Sequence, residues 1–383
     1  MRKPLLLCLA ILTLVGRAAV GQDLPRGMIV DDVQCKDNVL QHYALYLPST
    51  FTPGRKWPVI LGFDAGARGR RAVERYQEAA EKYGYIVVGS NNSRNGPWEP
   101  ILEAAAAMRR DVEARFPIDT RRRYAAGMSG GAHVAMRLAL TSTDIAGVLA
   151  SSSAFEDGDF RASVGFPIFG TMGTEDFDYD EVHQLEDLKS PHRVEMFDGG
   201  HQWPPIELAT DGVEWMEVQA MQRGLRPRDE RLIDQLFAKR MARAEAQKSG
   251  LSMMRELKAI AADFKGLADV ASVGRRAAAL VRRQDVKDEG KAEQAEERRE
   301  SQFLPEFFNV LDEAAARNSE AFAHLKDRVA ELVQQSKAPN DSAARGFARR
   351  LLAGIRAEVI DIADGDAQLL ELMNEVRPPV RPE

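Results

Sequence analysis

A glycine-serine turn at residues 127–131 (Gly-Met-Ser-Gly-Gly) is the part of this 383-residue sequence that most directly predicts chemistry. It follows an apolar run at 124–126 and precedes an alanine-rich helical pattern at 132–140. A G-x-S-x-G pattern between a strand and a helix is typical of the nucleophile elbow, in which a strained turn lifts the serine hydroxyl above the edge of a sheet. We therefore predict that Ser129 is a nucleophile and that the backbone N–H of Gly130 faces the oxyanion. The alternative is a glycine-serine turn without a chemical role.

A serine hydroxyl needs a general base, and that base needs a carboxylate to orient it. In folds with such an elbow the acid and the histidine come later in the chain, in that order. Asp176 comes just after a predicted strand at 166–172, and His201 lies in a glycine-rich loop after a predicted strand at 193–197. We predict that Ser129, Asp176 and His201 form a catalytic triad. The alternative acids are Asp178, Asp180 and Asp198.

The loop after the second predicted strand is expected to supply the second oxyanion donor. Small residues there let backbone N–H groups approach a substrate, and either Ala65 or Gly66 fits this role. Asp64 precedes them, and its charge would oppose catalysis if it faced the oxyanion. We expect Trp203 and Trp98 to be apolar walls of a substrate pocket, or alternatively packing residues.

The apolar pattern before Gly224 predicts the strands and helices that position these residues. Most of the short β-like runs are continuously apolar, as in strands buried on both faces of a parallel sheet. Their alternation with helical patterns predicts a doubly wound α/β sheet, whose chemistry lies beyond the carboxyl ends of the strands. The predicted strands are 42–47, 57–63, 85–90, 124–127, 145–151, 166–172 and 193–197, and the predicted helices are 70–82, 101–115, 131–140, 180–188 and 206–223.

The composition changes at Gly224: all four tryptophans precede it, and the rest of the chain is dense in strong helix formers. We predict an α/β domain at 22–224, an all-helical domain at 225–376 and a flexible tail at 377–383. The helical domain is expected either to cap the cleft or to bind a partner, another copy of the chain included.

Residues 1–21 have the pattern of a secretory signal peptide. Two basic residues precede an apolar run at 5–15, and small residues at 19–21 offer a cleavage site. The run is too short to span a bilayer, and no later stretch is apolar enough to do so. We expect export to the periplasm or the medium; the alternatives are a lipoprotein attached through Cys8 and a buried N-terminal helix.

The overall composition excludes several classes of protein. A net charge of -6 and a pI near 5.7 argue against a nucleic-acid partner, which normally meets a basic surface. Two cysteines cannot build a zinc framework or a disulfide scaffold. The sequence has no phosphate-binding loop, metal-ligand cluster or dinucleotide-binding glycine pattern. We therefore expect neither a metal nor an organic cofactor.

Three segments together resemble the secreted polyhydroxybutyrate-depolymerase and feruloyl-esterase branch of the α/β-hydrolase family. They are 116–124, which leads into the elbow, Gly-Thr-Glu-Asp at 173–176 and Gly-His-Gln-Trp-Pro at 200–204. The resemblance covers roughly residues 43–223 and leaves the helical domain unmatched.

This resemblance implies an α/β-hydrolase fold and the hydrolysis of carboxylic esters through an acyl-enzyme. It implies that Ser129 is the nucleophile, Asp176 the orienting acid and His201 the general base. It also implies that no metal or organic cofactor takes part. Many members of the family carry a His-Gly pair where this chain has Asp64 and Ala65. The segment at 152–165 is too short for a large lid, which favours an open cleft that takes a small-molecule, bulky or polymeric ester.

Two other functions are compatible with the sequence. A serine peptidase or an acyltransferase would use the same three residues on a different acyl group or acceptor. A catalytically weak binding module of hydrolase fold would instead use its helical domain; Asp64 and the length of that domain motivate this alternative.

Overall fold

The computed structural model describes residues 24–156, 158–179, 181–315, 319–337 and 343–362. The predicted signal peptide and the predicted tail lie outside the described residues. The strands are β1 (Ile29–Gln34), β2 (His42–Tyr46), β3 (Trp57–Asp64), β4 (Ile86–Ser90), β5 (Ile118–Met128), β6 (Gly147–Ser151), β7 (Ile168–Gly173) and β8 (His192–Phe197). The helices are α1 (Gly69–Tyr83), α2 (Trp98–Arg115), α3 (Gly130–Thr141), α4 (Glu181–Glu186), α5 (Ile206–Gln222), α6 (Glu230–Glu245), α7 (Gly250–Asp263), α8 (Ala271–Arg282), α9 (Gln284–Ala315), α10 (Ser319–Ser336) and α11 (Ala343–Ile362).

The eight strands form one sheet in the order β1-β2-β4-β3-β5-β6-β7-β8. Strand β2 pairs antiparallel with β1 and β4, whereas the pairs from β4 through β8 are all parallel. The crossover helices lie on both faces of the sheet. This mostly parallel, doubly wound arrangement is the α/β-hydrolase fold, and it confirms the predicted fold class.

Both faces of the sheet are covered, which explains the continuously apolar strands. In β3, Val59 and Leu61 belong to the core beneath α2 and α3, while the intervening Ile60 belongs to the core beneath α1 and α5. Burying each such side chain contributes about 1.5–3 kcal/mol. Because both faces are filled, only the loops at the carboxyl edge of the sheet are free to build a site.

Two strands differ from their predictions because they contain polar residues that break the apolar pattern. Strand β1 was not predicted, since its sequence Ile-Val-Asp-Asp-Val-Gln is half polar and largely exposed at the edge of the sheet. Strand β5 begins at Ile118, six residues before its predicted start. Two arginines of this extension are largely buried in ion pairs. Arg122 pairs with Glu217 of α5. Arg123 pairs with Asp144 at 3.0 Å.

The second part of the chain is helical wherever the structure describes it, as predicted. Helices α6, α7 and α8 pack on α5 around an apolar core that includes Leu257, Ile260 and Phe264. Arg193 of β8 reaches into this interface and contacts Glu256 of α7 at 2.6 Å. Helices α9, α10 and α11 surround a separate core. The described helices include none that is both long and apolar enough to cross a membrane.

Candidate active site

Ser129 occupies the sharp turn between β5 and α3, in the backbone geometry of a nucleophile elbow. Its φ is +57° and its ψ is -132°, a region that costs a non-glycine residue on the order of 1–3 kcal/mol. The glycines beside it are required by close approach. A Cβ on Gly127 would lie 2.0 Å from the Gly131 carbonyl oxygen, and one on Gly131 would lie 2.3 Å from that of Phe63. The backbone N–H of Ser129 donates to the Ser151 carbonyl at 2.9 Å, which ties the turn to β6.

Asp176 and His201 meet at the same edge of the sheet, in the loops after β7 and β8. The Nδ1 of His201 is 2.8 Å from Oδ1 of Asp176, whose side chain is fully buried. Oδ1 also accepts the backbone N–H of Asp178 at 3.1 Å. With the Nδ1 proton donated to the carboxylate, the neutral ring keeps its Nε2 lone pair free to accept a proton. The ring is stacked on Phe177, with centroids 4.2 Å apart.

The three residues predicted as a triad follow three strands of this one edge: Ser129 after β5, Asp176 after β7 and His201 after β8. Ser152 Oγ donates to the Gln202 carbonyl at 3.1 Å and so connects the segment after β6 to the histidine loop. Among the described residues, the Ser129 hydroxyl makes no hydrogen bond to the imidazole. Hydrogen bonds between a nucleophile and its general base are often long before a substrate binds.

Negative charge surrounds His201 more densely than the sequence indicated. Oδ2 of Asp178 is 3.6 Å from Nδ1 of His201, and burial raises the pKa of Asp178 to about 6. Burial of the His201 ring lowers its pKa, but the hydrogen bond and charge of Asp176, with the charges of Asp178 and Glu181, raise it above the ordinary value overall. Of the other alternative acids, Asp180 lies outside the described residues, and Asp198 is an exposed residue after β8.

His133, one turn into α3, belongs to a small polar network beside this site. Its Nε2 is 2.6 Å from Ser153 Oγ. The Ser153 hydroxyl is in turn 2.6 Å from Oε2 of Glu181, which also accepts the backbone N–H of Ala154 at 3.0 Å. The network holds Glu181 near Asp178 and explains part of the negative charge at this edge.

Within the described residues, Asp176, Asp178 and His201 are the one group with three potential metal-ligand atoms within 4.8 Å of one another. The Nδ1 atom that would bind an ion is the one that contacts Asp176 Oδ1. Metal binding there would require the Nδ1 lone pair and would break that hydrogen bond. An imidazole oriented by a carboxylate accounts for the arrangement directly.

Asp64, at the end of β3, is buried and accepts four hydrogen bonds. The guanidinium of Arg68 donates to both of its oxygens, at 2.6 and 3.1 Å. The indole N–H of Trp203 donates at 2.9 Å, and the backbone N–H of Gly66 donates at 2.9 Å. Burial alone would raise the pKa of Asp64, but these donors, Arg68 foremost, hold it below the ordinary value. Its charge is therefore paired with Arg68 and serves to shape the loop.

This arrangement distinguishes the two candidate oxyanion donors. The N–H of Gly66 is committed to Asp64, whereas the N–H of Ala65 has no hydrogen-bond partner among the described residues. The Ala65 carbonyl accepts the backbone N–H of Asn95 at 2.9 Å. Asn95 was not predicted, and no local pattern indicated it. A Cβ on Gly130 would lie 1.9 Å from Asn95 Oδ1, so the Asn95 side chain packs directly against the elbow.

The two tryptophans proposed as pocket walls are engaged in packing. Trp203 is 6% exposed, meets Tyr76 edge-on and commits its N–H to Asp64, which leaves little of its surface for a substrate. Trp98 is half-buried at the start of α2, with its N–H 3.1 Å from Glu156 and the Arg137 guanidinium 3.7 Å from its ring centroid. These contacts favour packing for Trp203, whereas for the partly buried Trp98 both alternatives stay predictions.

We expect Asp64→Ala to lower the free energy of unfolding by about 3–5 kcal/mol, because it leaves the buried donors of Trp203 and Gly66 without a partner and Arg68 without its counter-charge. Urea unfolding followed by tryptophan fluorescence measures the change. The exposed acid Asp37 is the control, and Asp37→Ala should change stability by less than about 0.5 kcal/mol. Equal midpoints for the two variants would contradict the role assigned to Asp64.

No protein-family model matches the sequence, and no curated protein sequence matches it. Among solved structures, the chain is similar to a thermostable esterase, with 15% identity and a TM-score of 0.41. The alignment covers 50% of this chain and 62% of the esterase, which is less than two thirds of the esterase's length. The chain is also similar to an S-formylglutathione hydrolase (FrmB) from Staphylococcus aureus (15% identity, TM-score 0.39, 49% of this chain and 97% of that one). A third is Thermogutta terrifontis esterase 2 (14% identity, TM-score 0.41, 52% of this chain and 95% of that one). Likeness this distant carries no conclusion about activity, which must follow from the residues of the chain itself.

Proposed function

We propose that the protein is a serine hydrolase that cleaves carboxylic esters through an acyl-enzyme, with Ser129 as nucleophile, His201 as general base and Asp176 as the acid that orients the ring. The observation that carries the proposal is the buried Asp176–His201 hydrogen bond of 2.8 Å at the edge of the sheet where Ser129 has its strained elbow geometry. A carboxylate–imidazole pair and a strained serine are each costly, and together they have a direct use in acyl transfer.

In the proposed reaction the Ser129 hydroxyl oxygen attacks the ester carbonyl carbon while Nε2 of His201 accepts its proton. The tetrahedral intermediate then collapses, and the imidazolium returns that proton to the departing alkoxide, which leaves as the alcohol. Water attacks the acyl-enzyme in the same way, releases the acid and restores Ser129. The buried charge of Asp176 stabilises the imidazolium that exists between these steps.

The developing oxyanion is proposed to accept hydrogen bonds from the backbone N–H groups of Gly130 and Ala65. Gly130 follows the nucleophile at the start of α3, where the helix dipole also favours negative charge. Ala65 is preferred over Gly66 because the latter donates to Asp64 instead. The pairing of Asp64 with Arg68 weakens one of the two reasons to regard the chain as a binding module, since the charge of Asp64 is paired.

The proposal is tested with purified protein, p-nitrophenyl butyrate and a fluorophosphonate probe. We expect ester hydrolysis and covalent labelling at Ser129, located by mass spectrometry of the labelled peptide. A panel of matched amide substrates and alcohol acceptors distinguishes an esterase from the peptidase and the acyltransferase, which would use the same residues. Failure of the folded protein to react with either reagent would contradict the proposal.

We further propose that residues 1–21 direct export and are removed. The basic residues, apolar run and small residues of this segment support the proposal. The hydrolase would then act in the periplasm or the medium. Cell fractionation and determination of the N-terminus of the mature protein test this; a mature protein that retains Met1 in the cytoplasm would contradict it.

The rate of ester hydrolysis should increase with pH, because His201 must be neutral to act as a general base. As a general base the ring must be neutral, so kcat/KM should be low below the His201 pKa, which lies above its ordinary value, and should rise to a plateau as pH increases through it. Asp178→Asn removes one of the charges that hold this pKa up, so its acidic limb should move to lower pH. The position of the acidic limb is measured from a pH–rate profile, using an ester whose product is detected equally well at every pH. Asp37→Asn should leave it in place, and a shift of the Asp178 variant to higher pH would contradict the assignment.

A further inference from the structure

The last described helix of the chain contacts the loop that carries Asp176. We define the acid loop as residues 173–179. Nη1 of Arg349 in α11 is 2.5 Å from Oε1 of Glu175, and the pair is only 20% and 14% exposed. Nη1 of Arg350 donates to the Thr174 carbonyl at 2.6 Å, and its guanidinium carbon lies 4.1 Å from the ring centroid of Tyr179.

These contacts bracket Asp176. Thr174 and Glu175 precede it, and Tyr179 follows it at the end of the acid loop. Phe177, whose ring stacks on His201, also approaches α11: a Cβ on Gly354 would lie 3.8 Å from the Cβ of Phe177. Helix α11 therefore reaches the acid loop on both sides of the carboxylate and approaches the residue that supports the imidazole.

The acid loop is closed on itself by turn hydrogen bonds, from the Asp176 N–H to the Gly173 carbonyl at 3.1 Å and from the Tyr179 N–H to the Asp176 carbonyl at 3.3 Å. It contains turns and no helix or strand beyond Gly173. The backbone N–H groups of Thr174 and Glu175 donate to the Phe197 and Gly199 carbonyls, which fixes the start of the loop against the end of β8 and the histidine loop. The Thr174 carbonyl is left for Arg350.

Helix α11, which carries the two arginines, is packed into the core of the helical region. Leu351, Leu352 and Ile355 of the same helix are buried in the core shared with α9 and α10. Arginine suits this role because its planar guanidinium can contact a carboxylate, a carbonyl and an aromatic face. A partly buried ion pair is also screened less by salt than an exposed one.

We infer that Arg349 and Arg350 are positioning residues of the Asp176–His201 pair, so that the helical C-terminal region is a working part of the hydrolase site. This inference rests on the proposed function. The two arginines do not touch the reacting atoms: they hold the acid loop, the loop holds Asp176 and Phe177, and these orient the imidazole. Misplacement of a catalytic group by about 1 Å can cost on the order of a hundredfold in rate.

The test uses the full-length chain and compares Arg349→Ala/Arg350→Ala with Arg356→Ala, an exposed arginine on the same helix. With p-nitrophenyl butyrate we expect kcat of the double variant to fall by about ten- to a hundredfold with KM changed less than about twofold, and Arg356→Ala to match the wild type. Arg349→Lys/Arg350→Lys should recover part of the loss, because lysine keeps the charge and a donor but not the planar contact with the Tyr179 ring. Hydrogen exchange of residues 173–179 should be faster only in the alanine double variant.

The inference is overturned if the alanine double variant matches Arg356→Ala in kcat and in exchange of the acid loop. It is also overturned if its loss of rate equals the fraction of unfolded protein seen in a thermal melt. If the double variant does not fold, Glu175→Gln removes the Arg349 ion pair from the other side and is judged by the same criteria. Failure of the proposed function is distinguishable: the wild type would then hydrolyse no ester, while exchange would still decide whether α11 holds the loop.

Discussion

Replacement of Ser129 by alanine is expected to lower kcat for ester hydrolysis by about a million-fold, because removing a triad nucleophile has an effect of that order. The residual rate would come from the oxyanion donors and substrate binding alone. Hydrolysis of p-nitrophenyl butyrate at high enzyme concentration measures the loss, and fluorophosphonate labelling should disappear with it. KM should change little if the hydroxyl acts only in the chemical step.

The matched control is Ser301→Ala, since Ser301 is an exposed serine in α9. It should keep the wild-type rate and labelling. Ser129→Gly adds a test of the elbow, because glycine tolerates a φ of +57° and this variant should unfold at a higher urea concentration than Ser129→Ala. Wild-type activity in Ser129→Ala would refute the nucleophile assignment.

The second large effect is expected at Asp176. Asp176→Asn should lower kcat by about ten-thousand-fold, because an amide can stabilise the imidazole in the wrong tautomer, with its Nε2 protonated and unable to accept the serine proton. Steady-state kinetics with the same ester measures the change. The buried Oδ1–Nδ1 contact of 2.8 Å gives Asp176 this role.

Asp178→Asn is the comparison that decides between the two acids. Asp178 is also near His201, but its contact is longer at 3.6 Å. We expect its replacement to reduce kcat at the plateau pH far less than replacement of Asp176 does. Equal losses would mean that the pair shares the orienting role, and a larger loss at Asp178 would reverse the assignment.

The main features of the sheet and its edge could be predicted because their signals are local. Strands buried on both faces give continuous apolar runs, and the G-x-S-x-G pattern of the elbow is contiguous in sequence at residues 127–131. The choice between Ala65 and Gly66 could not be made from sequence. It depends on the rotamer of Asp64, which in turn depends on Arg68 and on Trp203, 139 residues along the chain from Asp64.

The tryptophans and the helical region illustrate the same limit. From sequence, a tryptophan two residues after the proposed general base is equally consistent with a pocket wall and with core packing. The side chain that binds the Trp203 N–H, Asp64, is remote in sequence. Arg349 and Arg350 lie in a helix with many charged residues, where arginine is usually a solvated surface residue. Their contacts with residues 174 and 175 arise from the packing of whole helices, which no local pattern encodes.

The contact between Arg349 and Glu175 joins residues 174 positions apart, and it has a consequence for when the enzyme first becomes competent during its synthesis. A ribosome adding roughly 5–20 residues per second needs on the order of ten seconds to proceed from His201 to Arg350. Throughout that interval a nascent chain already contains every residue of the proposed triad, yet lacks the helix that steadies its acid. Under the inference above, synthesis of α11 would thus precede full activity, and a chain that ends before α11 would lack the contacts of Arg349 and Arg350 with the acid loop.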